Sequence, residues 1–226
     1  RGPGLEIDLI HGSSFHAEGR ARRPTRPSPP FLYDDRPMDL RISIVGCSGA
    51  GKSTLARRVA GTFGIPTLEL DAVHHQPNWT TLSEPEFRDR VRGFMTAHDS
   101  WVIDGNYQAV LDDVWHGATH VAWLHPPRGL ATWRVGCRSI RRGLGRTHLW
   151  NGNRERVRDL FSLDRERSMV VWTWQTHPER ARRYTRRFEA PEWRRLDRRR
   201  LTRASEIDAW IETLGTTIDK TQETAS

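Results

Sequence analysis

Apolar positions along the chain alternate between short runs and helical stripes. Leu40-Arg41-Ile42-Ser43-Ile44-Val45 alternates and is rich in β-branched residues, the pattern of a buried strand. Leu55, Val59 and Phe63 then recur at i, i+4 and i+8 with Ala56 and Ala60 beside them, which predicts an amphipathic helix. After the break at Gly64-Ile65-Pro66, Thr67-Leu68-Glu69-Leu70-Asp71 reads as a second strand, with Glu69 and Asp71 leaving one face. His74 to Trp79 reads as a loop. Ser83-x-x-Glu86 is a capping box that opens a helix with Phe87, Val91, Phe94 and Met95 on its core side. Trp101-Val102-Ile103 and Thr119 to Leu124 are the third and fourth strands, the latter ended by His125-Pro126-Pro127. The next helix carries Leu130, Trp133 and Cys137 on or near its buried side. Residues 160–190 read as helical, with Phe161, Met169, Val170, Trp172 and Trp174 available for packing. Arg195 to Leu201 reads as a last edge strand, and Ser205-x-x-Asp208 caps a final helix carrying Ile207, Trp210, Ile211 and Leu214. The succession predicts an α/β fold with a parallel five-stranded sheet and helices on both faces.

Between the first strand and the first helix stands Gly46-Cys47-Ser48-Gly49-Ala50-Gly51-Lys52-Ser53-Thr54, a full match to G-x-x-x-x-G-K-[ST]. Strand, glycine loop and helix start come in the order that a phosphate cradle requires. Glycines let backbone N–H groups turn inward, and the helix N-terminus adds partial positive charge. Gly46, Ser48, Gly49, Ala50, Gly51, Lys52, Ser53 and Thr54 are therefore expected to bind a nucleoside triphosphate, and ATP and Mg2+ are the expected cofactors. Lys52 would reach the β- and γ-phosphates and Ser53 would offer its hydroxyl to Mg2+. The string alone would also fit an ordinary glycine turn before a helix; its context argues for the cradle.

The carboxyl ends of parallel strands form the ligand crevice. Asp104, where Trp101-Val102-Ile103 ends, is expected to hold Mg2+ or Lys52, and Asp71 to orient whatever accepts the phosphate. Asn106 and Tyr107 would face that acceptor, with His74 touching it. Strand-end solvation is the plainer reading of Asp71 and Glu69, and a simple turn that of Asp104-Gly105. The adjacent His74 and His75 have no further His or Cys at zinc spacing, so a structural or substrate role is expected of them.

The net charge of +8 is unevenly placed. Residues 128–200 hold 21 arginines against 8 acids, +13 in all, which leaves the rest of the chain at −5. Arg134, Arg138, Arg141 and Arg142 share one helical face, and Gly143-Leu144-Gly145-Arg146 is expected to break that helix. Together with the basic stretch His148 to Arg158 this predicts an arginine lid, about 139–160, closing over phosphates. A solvated basic face is the alternative. Residues 1–37, with Arg20 to Pro30 rich in arginine and proline, are expected to be a disordered basic tail ahead of a domain over 38–214, and 215–226 a flexible C-terminal tail. No apolar run has the length of about 20 residues that a membrane span needs. Two cysteines, Cys47 in the glycine loop and Cys137, make no disulfide framework, so a cytoplasmic location is expected.

With these residues assembled, the chain resembles the adenylate-kinase-like P-loop kinases. More narrowly, it resembles the bacterial DNA topology modulation proteins of the FlaR type. The resemblance runs from about Met38 to Leu214 and rests on GCSGAGKST, LELDAVHHQPNW, SWVIDGNY and the lid with LWNGNRER. It implies that Arg134 and Arg138 stack on the adenine and clamp the phosphates, with Arg141 and Arg146 as lid arginines. One departure matters. Adenylate kinases read DGFPR where this chain reads Asp104-Gly105-Asn106-Tyr107, so the arginine that grips the AMP phosphate is missing there, and Arg88 or Arg92 would have to substitute.

The expectation is a P-loop kinase that moves the γ-phosphoryl group of Mg·ATP to a small acceptor: a nucleotide, a nucleoside or another hydroxylated metabolite. Lys52, Asp71, Asp104 and Arg138 are its catalytic candidates, with Asp71, His74, Arg88, Asn106 and Tyr107 on the acceptor. The rival from another class is a nucleotide-regulated DNA-binding ATPase using the +13 region. It lacks any helix-turn-helix, zinc-finger or RNA-binding aromatic motif.

Overall fold

A computed structural model describes residues 40–144 and 168–224. The tail expected over 1–37 lies outside the described residues, as does the lid beyond residue 144, with Arg146 in it. Five parallel strands form one sheet: β1 (Arg41–Gly46), β2 (Thr67–Glu69), β3 (Trp101–Asp104), β4 (His120–Leu124) and β5 (Asp197–Leu201), in the order β2-β3-β1-β4-β5. Register sets Ile44 opposite Asp104 and Gly46 opposite Leu124, so the ends of β1, β3 and β4 meet at one crest. β5 is an edge strand, as its charge predicts.

Seven helices are described: α1 (Lys52–Phe63), α2 (Leu70–His74), α3 (Glu84–Thr96), α4 (Gln108–Gly117), α5 (Arg128–Leu144), α6 (Met169–Glu189) and α7 (Ala204–Thr224). One core gathers Val45 of β1 with Phe87 and Val91 of α3, Leu111 and Trp115 of α4, Trp123 of β4 and Tyr184 of α6. Strand alternation turns Ile42 and Ile44, both wholly buried, to the other face. Arg195 donates to the carbonyls of Trp115, His116 and Ala118, closing the end of α4. No described helix is long and apolar enough to cross a membrane.

Several boundaries differ from the sequence reading. β2 stops at Glu69 and α2 begins at Leu70, so Asp71 lies in the first turn of a helix and not on the strand with Glu69. His74 closes α2, and Pro77–Trp79 is a single 3-10 turn. On α5 the buried positions are Ala131 and Val135; Leu130 and Trp133 face outward, Trp133 at 70% exposure. α5 is described to Leu144, within the Gly143–Arg146 stretch expected to break it; Gly145 and Arg146 lie outside the described residues. On α6 the buried side chains are Thr173, Thr176, His177 and Tyr184, while Met169 and Trp174 are exposed. The last helix is capped by Glu206, which accepts from the Thr202 backbone at 2.7 Å, and not by Ser205-x-x-Asp208. Asp208 instead pairs with Arg58 at 2.7 Å. α7 is described as far as Thr224.

Candidate active site

The glycine loop takes its shape from three left-handed residues, Gly46 (φ 151), Gly49 (φ 75) and Gly51 (φ 99). A Cβ on Gly46 would stand 2.5 Å from the Leu124 carbonyl, and one on Gly49 would strike the Ala131 carbonyl. The loop is thus pressed between the end of β4 and the small-residue face of α5, which only glycine permits. Gly51 caps α1, so Lys52 and Ser53 occupy its first turn, with Thr54 exposed beside them. Lys52 Nζ lies 3.5 Å from the Cys47 carbonyl, within the loop it closes. Ser48 and Ala50 complete the turn, Ala50 donating its N–H to the Cys47 carbonyl at 3.2 Å. The Cys47 thiol is buried, and burial pushes its pKa up, which keeps it protonated and poorly reactive.

Three carboxylates, Glu69, Asp71 and Asp104, gather at the ends of β2 and β3. Ser53 Oγ donates to Glu69 Oε1 at 3.1 Å, which anchors the end of β2 to the start of α1. Asp104, at the end of β3, is only 3% exposed, and its Oδ1 has no hydrogen-bond partner. Desolvation raises its pKa; Lys52 and Ser53 pull the other way, and the charges of Glu69 and Asp71 add to the rise. Asp71 accepts from the Tyr107 hydroxyl at 2.6 Å, and that hydroxyl lies 3.3 Å from His75 Nε2. Burial and the Asp71 charge both push the Tyr107 pKa up, so the phenol stays a donor. His74 packs in a ring cluster, 4.6 Å from Tyr107 and 5.1 Å from Phe87 between centroids. Burial, with His75 beside it, lowers the His74 pKa and keeps the ring neutral. Gly105 (φ 143) lets the chain turn past Leu70, whose Cβ would be 2.7 Å from any Cβ placed there.

The expected residues do not all converge. Asp71, His74 and Tyr107 lie together, Tyr107 bonded to Asp71 and packed on His74, while Asn106 bonds instead to Tyr184 of α6. Arg88 does not join them: it donates to the Ala109 carbonyl at 2.7 Å and pairs with Asp113 at 3.1 Å and Glu84 at 2.9 Å. Arg92 is likewise held by Asp113 at 2.7 Å. Both arginines brace α3 on α4. Arg134 is exposed and Arg138 half-buried on α5, the helix whose Ala131 abuts Gly49. The sequence reading missed Arg180 of α6. Its guanidinium stacks 4.3 Å over Trp172, within electrostatic reach of Cys47 and of Tyr184, itself beside Asn106. Burial lowers its pKa, so a largely desolvated cation stands next to the phosphate loop. One arginine among five on one helix carries no sequence signal; its spacing of four from the core residue Tyr184 was the only clue.

The donors suit Mg2+ bound with phosphates. Such an ion takes one or two protein oxygens and fills its other positions with phosphate and water. Ser53 Oγ and the unpartnered Asp104 Oδ1 are oxygens of that kind. Among the described residues no group of three or more His, Cys, Asp or Glu could hold a metal alone.

No protein-family model matches the chain. The cytidylate kinases of two Nitratidesulfovibrio vulgaris strains, DP4 and Hildenborough, are 40% identical to it over 60 residues, 24% of this chain and 26% of each relative. The match therefore spans about a quarter of the relatives' length. Among solved structures, a gluconokinase from Sinorhizobium meliloti 1021 aligns at 17% identity and a TM-score of 0.47, covering 84% of this chain and all of that one. A shikimate kinase from Bacteroides thetaiotaomicron aligns at 15% and 0.44, covering 80% and 98%. None of these proteins carries the DNA topology label. The fold is α/β: a parallel five-stranded sheet flanked by helices, with the glycine loop between β1 and α1.

Proposed function

We propose that this protein is a P-loop kinase that transfers the γ-phosphoryl group of Mg·ATP to a small acceptor. The observation that carries the reading is Asp104. A buried carboxylate with one unpartnered oxygen, its charge opposed by burial, is unfavourable for stability and fits a cation beside Lys52 and Ser53. The backbone of the glycine loop would cradle the β- and γ-phosphates, with Lys52 at the transferring group. Mg2+, held at Ser53 and Asp104, would neutralise charge on the phosphate oxygens when bound. Arg134 and Arg138 would reach the nucleotide from α5, and Arg180 from α6. Arg180, half-buried and stacked on Trp172, would supply transition-state charge. Asp71 would orient the acceptor, with His74 and Asn106 beside it.

The test is ADP release from Mg·ATP against nucleotides, nucleosides, sugars and duplex DNA, with Lys52→Ala as the control. Stimulation by one small molecule, reduced by at least about 100-fold in the variant, is expected. Stimulation by DNA alone would overturn the reading and make the arginine faces a nucleic-acid surface.

A further inference from the structure

Resting on that kinase reading, we propose that the acceptor is an alcohol carrying no phosphate group, and that Tyr107 is the residue that positions Asp71 to receive its proton. Tyr107 occupies one carboxylate oxygen of Asp71, Oδ1, at 2.6 Å. We assign the other, Oδ2, to the acceptor. An alcohol O–H is a donor, whereas the oxygens of a phosphate dianion are acceptors only and would meet a carboxylate in repulsion.

The surroundings sharpen the distinction. Among the described residues, the groups near Asp71 are the Tyr107 phenol, the His74 and His75 rings from α2, and the Asp104 carboxylate from β3, with Glu69 close behind it. The wall is thus acidic and aromatic. The two arginines of α3 that might have gripped a phosphate, Arg88 and Arg92, are closed onto Asp113 and turned to α4. In the transfer, the acceptor oxygen bonds to the γ-phosphorus as the bond from that phosphorus to the β–γ bridging oxygen breaks. ADP departs with the electron pair, and the acceptor's proton passes to Asp71 Oδ2 and then to water. Tyr107 holds the carboxylate in line and never touches the reacting atoms.

The experiment compares two sets of acceptors, nucleosides with sugars and polyols in one and nucleoside monophosphates in the other, using wild type and Tyr107→Phe. The variant keeps the ring that packs on Phe87 at 5.2 Å, and its melting temperature reports on folding. Transfer to an uncharged alcohol and not to monophosphates is expected. In Tyr107→Phe kcat should fall about 10- to 100-fold, the size seen when the partner orienting a functional group is removed, while KM for Mg·ATP holds. A preference for a nucleoside monophosphate, or an unchanged kcat in a folded Tyr107→Phe, overturns the inference and leaves the kinase standing. No ADP release above the Lys52→Ala background with either set overturns the kinase reading and the inference together.

Discussion

The glycine loop and the proposed acceptor wall are built in opposite ways. The loop, Gly46 to Ser53, is backbone: its function lies in N–H directions that follow from three glycines with positive φ, and its charge is cationic. The wall is side chain: Asp71, His74, His75 and Tyr107 come from two helix ends and join through a phenol–carboxylate bond of 2.6 Å. At Gly46 and Gly49 a Cβ would meet backbone, and at Gly51 the positive φ alone favours glycine. On the kinase reading, a nucleotide site held constant would stand beside an acceptor site that varies.

The largest test of this contrast removes charge from the loop side without touching the loop. Arg180→Met keeps an unbranched side chain over Trp172 and deletes the guanidinium. Turnover should fall about 1,000-fold, as for an arginine that stabilises phosphoryl-transfer charge. The melting temperature should hold or rise, because burial disfavours the charged form that the fold now carries. A variant with intact turnover would make Arg180 a packing residue and return the catalytic charge to Arg138.

Asp104 sharpens the comparison from the other side. Its pKa is raised in the fold, so the folded state holds its proton to higher pH than the unfolded chain does. Stability from this group is therefore present at low pH and is lost as pH rises through the folded value. Asp104→Asn removes that penalty. In the absence of nucleotide its melting temperature at neutral pH should exceed that of wild type, and the difference should shrink as the pH is lowered. Turnover with Mg·ATP should fall about 100-fold. Loss of both stability and turnover would show that Asp104 serves the fold and not the ion.

Sequence and structure agree most closely where chemistry is local. The glycine loop, the Ser83–Glu86 box (Ser83 N–H to Glu86 at 3.2 Å) and the charged edge strand β5 could all be read from neighbouring residues. What stayed hidden depends on partners far along the chain. Asp71 and Tyr107 lie 36 positions apart, and Arg88 and the Ala109 carbonyl 21. The buried face of α5 was misread because periodicity offers the large residues Leu130 and Trp133, whereas the loop against it admits only Ala131 and Val135. The short helix α2 was read as strand because Leu70 continues an apolar alternation that the turn into Asp71 cuts off. In each case packing overrode pattern.

The smallest expected effect bears on which side of the crest the α3 arginines serve. Arg88 gives two hydrogen bonds to one carbonyl, that of Ala109, and shares Asp113 with Arg92. Arg88→Ala strips the carbonyl of that side chain and leaves Asp113 to Arg92 alone. The loss should be about 1–2 kcal/mol of stability, near the lower end for a partly buried acceptor left unpaired, since water reaches this seam. Transfer kinetics should stay within about twofold of wild type, a difference of under 0.5 kcal/mol in the barrier. The opposite pattern, a stable protein whose KM for the acceptor rises steeply, would mean that the guanidinium leaves Asp113 to grip substrate. The acceptor wall would then be cationic when occupied, and the argument for an alcohol would pass to a phosphate.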